Sequence, residues 1–247
     1  MIASLMMYAR PQLADAHVRY WRLIRAELQA KGINAPEALS QEADAFSVWK
    51  HPDLVLSQTC GMPYRTSLHD RVELVGTPDF GVEGCPAGYY RSAIVVRVSD
   101  PRRSATAYGD AVFAYNQSCS QSGFAAPFYH FKPRGFWFEN RLLTGGHLES
   151  ARAVVQGRAD IAALDAVAWR LMQQYEGFAN DLRVLEWTAP TPGLPYIAAK
   201  GRDVRVLSKA IAVAIDRLTG PDRHLLGIRR LVAIPKADYL KFSNPPA

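Results

Sequence analysis

Three features of this sequence predict a two-lobed α/β protein. Strand-like runs alternate with segments of helical spacing from end to end. Two clusters of Pro and Gly, GTPDFGVEGCPAG (76–88) and APTPGLP (189–195), bracket a middle segment of about 100 residues, an ordinary domain size. The 247 residues are 49% hydrophobic and 21% charged, enough apolar material for a buried core in each lobe. The alternation calls for parallel sheets. The bracketing makes 89–188 a lobe inserted into an outer lobe formed by 1–88 and 189–247. Two crossing hinge strands would join the lobes and leave a cleft between them, a common place for a ligand.

The elements are read in chain order. Ile2–Met7 is an apolar run predicted as a strand. Pro11 opens a helix, where its missing N–H costs nothing. Leu13, Tyr20, Trp21, Ile24 and Leu28 recur at helical spacing, and Gly32 ends the helix. Asp53–Leu56 reads as a buried strand running into SQTCG, and Val72–Val75 as another, ended by GTP. Tyr89–Val98 has the β-branched centre of a longer strand. Ala111–Tyr115 is predicted as a strand leading into NQSCSQSGF, with a helix from Ser122 to Phe131. Leu142 and Leu143 lead into TGGH, after which Leu148, Ala151 and Val155 share a helix face. Ile161–Leu164 predicts a strand and Asp165–Tyr175 a helix. Leu182–Trp187 and Tyr196–Ala199 predict strands, and Val204, Leu207, Ile211, Ile215 and Leu218 mark the last long helix.

Composition excludes several classes. The net charge is +6, yet the basic residues are scattered, and no run of five or more Lys/Arg suggests a nucleic-acid partner. No apolar stretch approaches the roughly 20 residues of a membrane span. The start, MIASLMMYARP, lacks the basic and apolar regions of a secretory signal. A periplasmic location is therefore expected if a leader has been removed, and a cytoplasmic one otherwise. Cys60, Cys85 and Cys119 include no C-x-x-C pair. Both a Cys60–Cys85 disulfide in an oxidising compartment and three free thiols fit them. G-x-S-x-G, G-x-x-x-x-G-K-[ST] and H-E-x-x-H are all absent. No catalytic residue, metal or cofactor is expected.

The chemistry is expected at the carboxyl ends of strands, where open α/β sheets bind ligands. Four polar turns fall there: MMYARP, SQTCGMPY, NQSCSQSGF and TGGHLES. The third is dense in small hydrogen-bonding groups. A helix start leaves N–H groups unpaired and carries partial positive charge, which suits an oxyanion. Ser120 and Ser122 would add hydroxyls, and Gly123 would let a ligand approach the backbone. The bland alternative is that such serines only cap the helix. TGGHLES repeats the theme with His147, which can donate from either ring nitrogen. Tyr8 could close over a ligand or be a half-buried aromatic. Gln58 and Thr59 could donate to a ligand or satisfy turn backbone. Asp165, at a strand end, could face a ligand or cap the following helix.

Taken together, SQTCGMPY, GCPAGYYRS, N-x-x-x-S-x-S-G, TGGH-x-x-S-x-x-x-V-x-x-G-x-A-D-I-A-A-L-D and PGLPYI fall in one order along the chain. That series resembles the phosphonate/phosphite/phosphate-binding proteins of ABC transporters, over nearly the whole chain. The resemblance implies the type II periplasmic binding protein fold, a clamshell closing on a small oxyanion. It implies Ser120, Gln121 and Ser122 as anion donors, with Gln121 standing where the family often has Thr. His147 matches the family's histidine and Tyr8 its aromatic after the first strand. Gln58, Thr59 and Asp165 match polar positions, and Tyr90, Asn116 and Gly123 complete the implied ligand-binding set. The implied partners are a small anion and a transporter permease, with the protein itself a monomer. A second reading stays open: a cytosolic enzyme or sensor on the same fold, similar to the pyrimidine-synthesis proteins of thiamine metabolism.

Overall fold

The computed structural model describes residues 1–246 and divides into two compact units. The first comprises Met1–Glu83, Ala87–Tyr89 and Pro192–Phe242, and the second is chiefly Tyr90–Thr191. Chain order begins with β1 (Ile2–Ser4), α1 (Ala14–Gln29), α2 (Ala45–Trp49), β2 (Leu54–Gln58), α3 (Gly61–Pro63) and β3 (Val72–Asp79). The short β4 (Tyr89–Tyr90) leads into β5 (Ser92–Arg97), β6 (Phe113–Tyr115), α4 (Ala126–Phe131) and β7 (Arg141–Leu143). Next come α5 (His147–Val155), β8 (Ile161–Asp165), α6 (Ala166–Tyr175), β9 (Leu182–Trp187) and the short β10 (Thr191–Pro192). The chain closes with β11 (Tyr196–Ala199), α7 (Val204–Asp216), α8 (Gly220–Leu226), β12 (Arg230–Val232) and α9 (Lys236–Leu240).

The first unit is built on a sheet of order β1-β2-β11-β3-β12. One core places Tyr20, Trp21, Ile24 and Leu28 of α1 with Leu207, Ile211 and Ile215 of α7. A second core gathers Val48 and Trp49 of α2, Tyr64 and Leu68 of the turn after α3, and Tyr239 of α9. The second unit has the order β7-β6-β8-β5-β9. One of its cores holds Ala151 and Val154 of α5 with Trp169 and Met172 of α6. Another is aromatic, with Phe113 stacked on Phe138 at 4.8 Å and Phe131 edge-on to it at 4.9 Å.

The sheets are mixed rather than parallel, contrary to the expectation from alternation. β5 runs antiparallel to both β8 and β9, and β11 antiparallel to both β2 and β3. A parallel pair needs a crossover connection, usually a helix. The connections between the two units, from β3 to β5 and from β9 to β11, carry no helix, and β5 and β11, which follow them, each run against their neighbours in their own sheet.

Other differences have local causes. β1 stops at Ser4 because Gln41 Oε1 accepts from Ser4 Oγ (3.0 Å) and Leu5 N (2.7 Å), taking the place of a sheet partner. Met6–Tyr8 then coils as a 3-10 turn. β3 runs on through Gly76-Thr77-Pro78 because β12 pairs with its far end. The short helices α2, α3, α8 and α9 were not foreseen; each is too brief to show a helical period.

Candidate functional site

In the second unit, β6 lies between β7 and β8 and is parallel to both. Parallel strands deliver their carboxyl ends to one edge of the sheet. The segments after β6 and β7 therefore begin their helices side by side. The loop after β7 is tied to the end of β6, since Thr144 N donates to Tyr115 O (2.9 Å) and Gly145 N to Asn116 O (3.0 Å). Thr144 Oγ1 lies 3.0 Å from Tyr115 O and 2.6 Å from Ser150 Oγ, pinning the start of α5.

The turn after β6 leads into a helix whose first turn is of π type, Gln121–Ala125, with Ala125 N donating to Ser120 O (3.0 Å). Pro127 explains the wide turn. It has no N–H, so nothing in the helix donates to Ser122 O from that position. Ser92 Oγ at the start of β5 donates to Ser122 O instead (2.9 Å). Ser120 is the N-cap, its Oγ accepting from Gly123 N at 2.9 Å. The capping alternative thus describes the Ser120 hydroxyl.

Ser122 and His147 come together across the two helix starts, with Ser122 Oγ 3.0 Å from His147 Nε2. His147 is the first residue of α5, whose N-cap, Gly146, supplies no side-chain bond. Its Nδ1 is shut off from solvent, although the residue retains some exposure. Burial lowers its pKa to about 4, and the Ala163 backbone pulls weakly the other way. The imidazole is therefore neutral at pH 7. Asn116 Oδ1 is buried among these groups without a hydrogen-bond partner. Gly123 is required by this packing and not by its dihedral angles: a Cβ there would lie 1.9 Å from Asn116 Oδ1 and 3.2 Å from His147 Cε1.

Asn116, Ser120, Gln121, Ser122, Gly123 and His147 are thus brought to one edge of one sheet. Ser120, Gln121 and Ser122 are each at least 96% buried. Asp165 sits nearby, paired in register with Ser92. Its carboxylate caps α6, accepting from Val167 N (2.7 Å) and Ala168 N (3.1 Å). Tyr90 is a buried residue of β4. The other expected residues belong to the first unit. Tyr8 is half-buried, with its ring edge-on to Phe80 at 5.0 Å. Gln58 spends its side-chain amide on Leu194 O (3.0 Å), and Thr59 donates its N–H to Pro195 O (3.0 Å). Cys60, Cys85 and Cys119 are unbridged.

The sequence reading passed over Ser92, Thr144 and Thr188. Thr188 Oγ1 accepts from Ser92 N (2.9 Å), fixing the hydroxyl that supports the π turn. One signal was available: Ser92 is a small polar residue at the head of the apolar run AIVV.

A sheet edge that presents two helix starts, a hydroxyl and a neutral imidazole can offer hydrogen-bond donors and partial positive charge to a small anion. Comparison with known proteins carries this to a family. Residues 62–230 match the family model described as ABC transporter, phosphonate, periplasmic substrate-binding protein. The chain belongs to that family, whose members are substrate-binding components of transporters. No curated protein matches the sequence. Solved structures agree on the fold. XAC2383 from Xanthomonas citri, bound to ATP, superposes with a TM-score of 0.71 at 16% identity, covering 96% of this chain and 91% of that one. PhnD1 from Prochlorococcus marinus, in complex with methylphosphonate, gives 0.69 at 15% identity, with 96% and 93% covered. A binding protein component of an ABC phosphonate transporter (PA3383) from Pseudomonas aeruginosa gives 0.69 at 14% identity, with 97% and 82% covered. Among the described residues, no helix is long and apolar enough to cross a membrane.

Proposed function

We propose that the second unit holds a small phosphorus oxyanion of the phosphonate, phosphite or phosphate type on the helix starts at Ser120–Gly123 and His147. The observation that carries this reading is the 3.0 Å contact between Ser122 Oγ and His147 Nε2. It joins two positively polarised helix ends at one point, where their first-turn N–H groups lack intrahelical acceptors. With His147 neutral, two tautomers are open to it. If Nε2 carries the proton, it donates to Ser122 Oγ and leaves the serine proton free for a ligand oxygen. An anion selects that arrangement, because the alternative would present it with a lone pair. Family membership supports the same ligand class, and methylphosphonate in the PhnD1 structure illustrates it.

In this reading the protein delivers its anion to a transporter permease from the periplasmic side, and capture is coupled to the hinge closure used by two-domain binding proteins. The test is calorimetric titration with methylphosphonate, phosphite, phosphate and sulfate. Wild-type protein is expected to bind at least one of the phosphorus anions saturably. Ser122→Ala should weaken that binding roughly ten- to a hundredfold, since hydrogen bonds to charged groups contribute about 1.5–3 kcal/mol. Equal affinity in wild type and Ser122→Ala would remove the serine turn from the site.

A further inference from the structure

A cavity of about 730 Å³ lies wholly within the first unit, between α1 and the segment 37–42. Its volume is in the range of small-molecule pockets. Both walls are held in place. Trp21 Nε1 donates to Pro36 O (3.1 Å), Ser40 N donates to Ala3 O (2.8 Å), and Gln41 is bonded to Ser4 and Leu5. The shape is therefore fixed by the fold rather than left to a flexible loop.

The α1 wall carries a pattern that core packing does not explain. His17, Trp21 and Arg25 recur every four residues and form one stripe along the helix, and all three line the cavity. His17 is 92% buried, yet its Nδ1 has no hydrogen-bond partner. Arg25 Nε is likewise shut off from solvent without an acceptor. Buried polar atoms are nearly always satisfied, so two unpartnered nitrogens in side chains that line one cavity are a feature that packing within the first unit does not account for. They stand eight residues apart, about 12 Å along the helix axis, with the Trp21 ring between them. Arg22 lines the same end as Arg25 and has no ion pair among the described residues, and Arg10 adds a third cation. Glu37 and Glu42 are the acidic residues of the opposite wall; both are exposed to solvent. Three arginines against two glutamates leave the lining one positive charge in excess.

We infer that this cavity is a second ligand site, distinct from the Ser122–His147 site, and that it takes an elongated organic carboxylate. The carboxylate meets Arg25 and Arg22. The apolar body lies along Trp21, Val18 and Leu39, and the far end reaches His17. Neutral His17 brings no charge to the lining, so the charge of the ligand falls to the arginines.

The probe is octanoate, with 1-octanol as its uncharged counterpart, titrated into the full chain. Octanoate is expected to bind saturably with one site and at least tenfold more tightly than octanol. Arg25→Gln should weaken octanoate at least tenfold while leaving octanol within a factor of about two. Ala38→Trp, which fills the cavity from the opposite wall, should abolish both. Ser122→Ala should leave octanoate binding unchanged, which separates this site from the anion site of the other unit. Thermal melts check that each variant is folded. Absence of saturable octanoate binding by wild-type protein, binding insensitive to both Arg25→Gln and Ala38→Trp, or binding lost in folded Ser122→Ala would each overturn the inference.

Discussion

Gly123 illustrates how a single residue can be tied to its place without unusual backbone angles. The neighbour that forbids a side chain is Asn116, whose Oδ1 occupies the space of a Cβ. Gly123→Ala is expected to cost about 1–3 kcal/mol through overpacking. Asn116→Ala in the same chain removes the atoms in the way and should return the melting temperature most of the way to that of Asn116→Ala alone. A Gly123→Ala protein that melts like wild type would show that the turn has room to spare. Ser120 and Ser122 differ just as sharply despite their proximity. The Ser120 hydroxyl is occupied by Gly123 N, while Ser122 faces His147. Serine residues two positions apart in one motif therefore have different tasks, and alanine at each should separate them: Ser120→Ala lowers stability, whereas Ser122→Ala lowers affinity.

At the level of elements, the helix starts govern both shape and chemistry. Asp165 ends β8 and caps α6 through two backbone amides. Asp165→Ala is expected to destabilise by about 0.5–2 kcal/mol, the usual range for losing an N-cap. For a chain of this size that lowers the melting temperature by roughly 2–4 °C per kcal/mol. Asp165→Asn keeps an acceptor and should recover most of the loss. If Asn and Ala variants melt alike, the cap is not what the side chain contributes. On the neighbouring strand β5 of the same sheet, Arg97 Nη1 donates to Val154 O and Ala159 O, both at 2.7 Å. It ties the end of α5 to β5, and so helps to hold the helix that begins with His147.

For the whole molecule, the buried histidines make stability depend on pH. Burial lowers both His17 and His147 from 6.5 to about 4, and moves His130 in the same direction. Between those values the unfolded chain binds protons that the folded chain does not. Stability from His17 and His147 is therefore complete above about pH 6.5 and declines as pH falls toward about 4, by roughly 1.4 kcal/mol per unit for each. Asp100 acts in a lower window. Its bonds to Arg102 hold it well below the usual carboxylate range, so its contribution is lost only under stronger acid. Urea unfolding at pH 7 and pH 4.5 measures the slope, and His17→Gln should flatten it. An equal loss of stability in wild type and His17→Gln would place the proton uptake elsewhere.

Family and fold class were readable from residue order alone, because small, polar and glycine residues recur at fixed spacings where strands end. The helix period of α1 and α7 and the β-branched run of β5 were equally legible, since each element buries one face or both. Strand direction was not. Alternation of strands and helices is blind to connections that carry no helix, and those are where β5 and β11 reverse. Nor could residue type reveal which polar atoms were already engaged. Gln58 reads as a donor for a ligand, yet its amide is spent on Leu194 O. His17 and Arg25 stand beside the apolar positions of α1, and nothing local reveals that their nitrogens lack partners. Periodicity reports which face of an element is buried. The partner of each buried polar atom comes from segments distant in sequence, and only the folded chain brings those together.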